Sequence, residues 1–76
     1  PERIQQRSDA KELLWRGLEK IGTEHREILV LKELEGFRYV EIAQILEIPE
    51  GTVSSRLYHA RSALKKALVD LNAEYP

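Results

Sequence analysis

Apolar residues recur along this chain in four blocks with helical spacing, separated by short breaks. The first block sets Ala10, Leu13, Leu14, Leu18 and Ile21 on one face of a helix over about residues 9–21. Ser8 is placed to cap it, with Asp9 and Glu12 at the positive end of its dipole. Trp15 lies off this stripe, which leaves two readings open: a side chain packed on the rim of the domain, or one that meets a partner protein. Gly22-Thr23 interrupts the pattern, and Thr23 can cap a second helix over about 24–35. In that helix Ile28, Leu29, Val30, Leu31 and Leu34 point in nearly every direction, as in a helix at the centre of a fold. The flanking Glu27, Lys32 and Glu33 break the period of two that a strand would need. Gly36 ends the element, and Phe37 is expected to plug the core as the chain turns.

The third block is short. Val40, Ile42, Ala43, Ile45 and Leu46 predict a helix over about 39–46. Glu47 then stands where a left-handed residue, usually glycine, would end the helix, at a cost on the order of 1 kcal/mol that packing of Ile48 offsets. Pro49 favours an extended residue before it and a fresh helix after it, with Glu50 near the new N-terminus. The last helix is the longest, about 50–72. Val53, Leu57, Ala60 and Leu64 fall within a narrow arc, continued by Ala67, Leu68 and Leu71. The reading is therefore all-α, a four-helix domain whose last two helices flank a tight turn, the form of a helix-turn-helix.

Composition narrows the class. A chain of 76 residues has room for one domain, and without cysteine it has neither disulfides nor thiolate metal sites to support a small core. No apolar run approaches the roughly 20 residues of a membrane span, so a soluble, cytoplasmic protein is expected. The chain opens at Pro1 with a polar PERIQQRSD, which reads as a linker from a preceding domain over residues 1–7, followed by the helical domain over 8–72 and a frayed end over 73–76. The formal net charge is -1, but it is unevenly spread. Residues 1–49 hold ten acids and eight Lys or Arg, a balance of -2, whereas residues 51–66 hold Arg56, Arg61, Lys65 and Lys66 and no acid, a balance of +4.

Little in the chain suits catalysis or metal binding. His25 and His59 are on different helices, the carboxylates are scattered, and there is no glycine-rich phosphate loop. No enzymatic activity, cofactor or metal is expected. A helix-turn-helix reader, by contrast, needs short polar or long cationic side chains on the exposed face of its second helix. Ser54, Ser55, Arg56, Tyr58 and His59 meet that need as candidate base readers. Arg56 and His59 can donate to base or phosphate acceptors, and Tyr58 can pack on a thymine methyl. Arg61, Lys65 and Lys66 lie farther along, where a straight helix leaves the groove, and are assigned to phosphates. Glu50 is assigned to helix-dipole compensation, with a cytosine contact as the minor reading.

The stretch HREILVLKELEGFRYVEIAQILEIPEGTVSSRLYHARSALKKAL resembles region 4 of bacterial sigma-70 type transcription factors, and most closely the small extracytoplasmic-function group. The resemblance runs from about Leu13 to Leu68. It implies recognition of the -35 promoter element within RNA polymerase holoenzyme, docking on the flap of the polymerase β subunit, capture by an anti-sigma factor, and a monomeric domain. By position it places Ser54, Ser55, Arg56, Tyr58 and His59 in the DNA-reading stretch, and Arg38, Tyr39 and Thr52 near the DNA backbone. Two features depart from many relatives. Ile21-Gly22 stands where Leu-Pro is common, and Ser54 and His59 stand where basic residues are common, which reduces the charge of the reading helix. Two rival readings are the effector domain of a response regulator and a purely protein-binding helical module.

Overall fold

A computed structural model describes the backbone over residues 2–74 and side chains over residues 10–73. Four α-helices follow one another: α1 over Glu2–Lys20, α2 over Thr23–Leu29, α3 over Tyr39–Leu46 and α4 over Glu50–Glu74. A π-helical turn, Val30–Leu34, prolongs α2.

Three boundaries differ from expectation. The first helix starts at Glu2, so Ser8 lies within α1 rather than at its cap. Glu, Arg and Gln over residues 2–7 are strong helix formers and extend the helix without any apolar stripe. At α2 the N-cap is Gly22, with φ -61° and ψ 155°, and Thr23 is the first helical residue. The last helix runs two residues past 72, to Glu74. Pro1, Tyr75 and Pro76 lie outside the described residues.

Leu18 of α1, Ile21 just after it, Ile28 and Leu29 of α2, Ile42 of α3, and Val53, Leu57, Ala60 and Ala67 of α4 form one core. Ile28, Ile42, Val53 and Leu57 are fully buried. Because α4 supplies a residue to this core at nearly every turn, the other three helices are arranged around it. The expected stripe on α4 is the buried one, with Leu64 packed at its margin. Phe37 also packs against the core from the loop before α3. Gly17 brings α1 close to α4: a Cβ there would come within 2.8 Å of Leu68 Cδ2 and 3.0 Å of Leu64 Cδ1.

Two turns set the direction of the helix-turn-helix. The widened helix ends where Glu35 N–H donates to the Val30 carbonyl at 2.9 Å and Phe37 N–H to that of Leu31 at 3.0 Å, with Gly36 at φ 77°. Only a residue without a Cβ takes that conformation at little cost. The turn between α3 and α4 uses Glu47 at φ 57° and ψ 48°, the left-handed conformation expected of it. Ile48 N–H donates to the Ala43 carbonyl at 3.0 Å while its side chain packs on the core. Thr52 and Val53 N–H then donate to the Pro49 carbonyl, which starts α4.

Candidate nucleic-acid interface

With one face of α4 committed to the core, its phase leaves Ser54, Ser55, Tyr58, His59, Ser62, Lys65 and Lys66 exposed, and Thr52 and Arg56 half-buried on one shoulder. Tyr58 is 69% exposed, unusual for a large ring in a small domain. It is not isolated: the His59 ring meets it edge-on, with centroids 5.3 Å apart and planes at 82°. The two rings therefore form one projecting unit. All five candidate base readers lie on one continuous surface of α4 free of carboxylates from Gly51 to Val69.

The residues assigned to the DNA backbone are less uniform. Tyr39, at the start of α3, shares a shallow notch with Ser54, Tyr58, Arg61, Ser62 and Lys65 of α4. One cation of the stretch is already engaged: Arg61 donates from Nε at 3.1 Å and from Nη2 at 2.7 Å to Glu33 Oε1 of the π turn. The Glu33 carboxylate, through its hydrogen bond and charge, raises the Arg61 pKa. Setting Glu33 against the +4 of residues 51–66 leaves 4 - 1 = +3 on this side of the molecule. Tyr39 is also held from behind, by the Lys32 ammonium 5.3 Å from its ring centroid. The same ammonium donates to the Phe37 carbonyl at 3.4 Å.

Arg38 has a local task as well. Its backbone N–H donates to Glu41 Oε1 at 2.8 Å and its Nε to the same oxygen at 3.3 Å. This is one half of a capping box, since a guanidinium accepts no hydrogen bond in return. The backbone N–H above all, then the guanidinium, holds the Glu41 carboxyl below its ordinary 4.5. The Arg38 side chain is nevertheless 77% exposed.

Sequence reasoning passed over Glu33 and Lys32, the two residues that brace the notch. Glu33 and Arg61 are 28 positions apart, so no local spacing rule joins them. It also passed over an apolar groove of about 630 Å³ between α1 and the second half of α4, floored by Leu13, Leu14, Leu29, Leu64 and Leu68, with Glu33, Arg61 and Lys65 at its margin. Trp15 is 47% exposed and is not among the residues lining that groove. Among the described residues there is no cluster of three His, Cys, Asp or Glu side chains able to hold a metal, and no helix long and apolar enough to cross a membrane.

Comparison with known proteins bears on the same residues. The family model described as sigma-70, region 4 matches residues 11–64, which take in all of the core except Ala67, the turn at Glu47 and the exposed face of α4 as far as Ser62. The RNA polymerase sigma-H factor of Pseudomonas aeruginosa is 36% identical over 74 residues, covering 97% of this chain and 38% of that protein. The ECF RNA polymerase sigma-E factors of Salmonella typhimurium and Escherichia coli K12 are each 36% identical over 64 residues, covering 84% of this chain and 34% of theirs. The chain thus spans little more than a third of these curated relatives. With the helix order, the left-handed turn and the carboxylate-free face all inside or adjoining the matched span, this chain belongs to the sigma-70 region 4 family.

Proposed function

We propose that this domain reads the -35 element of promoter DNA as part of a sigma factor in RNA polymerase holoenzyme, and so acts in transcription initiation in the cytoplasm. The observation that carries this is the face of α4, exposed, polar and without acid, presented beyond α3 by the turn at Glu47. Ser54, Ser55, Arg56, Tyr58 and His59 read base edges, of which Arg56 is the side chain suited to a guanine. Arg38, Tyr39, Thr52, Lys65 and Lys66 meet phosphates, and Arg61 does so while bound to Glu33. The family match favours this over a response-regulator effector domain.

The domain acts as a monomer that docks on the flap of the polymerase β subunit and is captured by an anti-sigma factor. The test is a footprint of holoenzyme rebuilt with the full-length protein. Protection upstream of the start site is expected, and Arg56→Ala weakens it by about 1–3 kcal/mol while relaxing sequence preference at one base pair. Full protection by an Arg56→Ala, His59→Ala variant would remove the assignment of α4 as the reader.

A further inference from the structure

An exposed ion pair joins Glu33 of the π turn to Arg61 of α4. Glu33 and Arg61 are each about half exposed, at 51% and 50% of their side chains. A pair so exposed contributes at most about 1 kcal/mol to folding. Its geometry is more specific than its energy. One carboxylate oxygen takes two of the guanidinium's five N–H donors, at 3.1 and 2.7 Å, which fixes the plane and direction of the remaining three. Arg61 borders the notch with Tyr39 and Lys65, and Tyr39 is in turn braced by Lys32. The wall so formed carries two cations and hydroxyl donors, and none of its lining residues is an acid. This chemistry fits a phosphodiester oxygen pair better than a base edge, because the donors converge from two helices and include no acceptor-rich partner for an amino group.

We propose that Glu33, which lies outside the helix-turn-helix, is a positioning residue for DNA binding: it aims Arg61 so that Arg61, Tyr39 and Lys65 grip one backbone phosphate in the notch. The inference rests on the reading of α4 as the DNA-binding helix. An acid beside a DNA-binding face should repel DNA, so the opposite role, a competitor that withholds Arg61 from phosphate, predicts an effect of opposite sign.

The experiment uses full-length protein in holoenzyme on the promoter DNA it protects, with the salt dependence of binding measured and single phosphates neutralised in turn as methylphosphonates. In the wild type, one methylphosphonate at the notch weakens binding about tenfold. In Glu33→Ala that phosphate becomes insensitive, binding weakens, and the slope of log K against log salt becomes shallower by about 1. Arg61→Lys, which keeps the charge but loses the fork, gives the same loss of sensitivity and covers the case in which Glu33→Ala folds poorly. Arg56→Ala leaves that phosphate's sensitivity intact. Tighter binding or a steeper slope in Glu33→Ala would overturn the proposal in favour of competition. A lowered melting temperature with slope and phosphate sensitivity unchanged would overturn it in favour of a purely structural pair. Absence of upstream protection by wild-type holoenzyme would instead remove the reading of α4 on which the proposal stands.

Discussion

Single residues in this domain carry conflicting demands, and Glu47 shows one most plainly. Its backbone is left-handed at φ 57°, which a residue with a Cβ adopts at a cost, yet the turn must place Ile48 on the core and start α4 three residues later. Glu47→Gly removes the strain while adding some freedom to the unfolded chain, so a net gain of about 0.5–1 kcal/mol is expected. For a domain of this size a gain of 1 kcal/mol corresponds to roughly 4–8 °C in the thermal midpoint. An unchanged or lower midpoint would show that the Glu47 side chain contributes something that its exposure hides. Arg38 carries a second conflict, since Glu41 partly occupies the guanidinium assigned to phosphate. Because Glu41 titrates lower in the folded domain, the capping contact is fully formed above its ordinary 4.5 and is lost as pH falls through the lowered value.

The elements show which parts of the fold are local and which are not. The periods of α3 and α4 were readable because Ile42, Val53, Leu57 and Ala60 face a single core, and the left-handed Glu47 was readable because a helix stop and Pro49 leave one residue to make the turn. Of the candidate site, the exposure of its residues was legible for the same reason: once the buried stripe is known, Ser54, Ser55, Tyr58 and His59 must face outward, with Arg56 half-buried on a shoulder. The rest depended on contacts between distant positions. The extension of α1 to Glu2 has no apolar signature, and the π turn has the same residue spacing as an α-helix that simply continues. Gly17 has no apolar or turn signature in the sequence, yet it is where α1 and α4 approach. Its substitution by a β-branched residue therefore tests the docking of these helices. Gly17→Val is expected to destabilise the domain by about 1–3 kcal/mol through overpacking against Leu64 and Leu68. A urea midpoint equal to that of the wild type would mean that α1 shifts on α4 without penalty.

At the scale of the whole molecule, the charge is too small for this domain to hold DNA unaided. With Glu33 set against Arg61, residues 51–66 bring only about +3 to the promoter contact proposed for them. If four to six phosphates are met, non-specific binding by the isolated domain is expected at about 10⁻⁴ to 10⁻⁶ M, falling steeply with salt. Titration of labelled promoter DNA at several salt concentrations checks this, and nanomolar binding insensitive to salt would contradict it. Attachment to a larger assembly supplies the missing affinity as effective concentration, with no new contact required. Arg61 and Lys65 border both the notch and the apolar groove, which adjoin each other along α4. Two ligands that draw on the same pair of side chains cannot bind independently. Whatever factor a groove occupant imposes on DNA affinity by moving these cations, bound DNA must impose in return on that occupant. On the proposed reading of α4, the groove beside the notch thereby responds to whether DNA is bound.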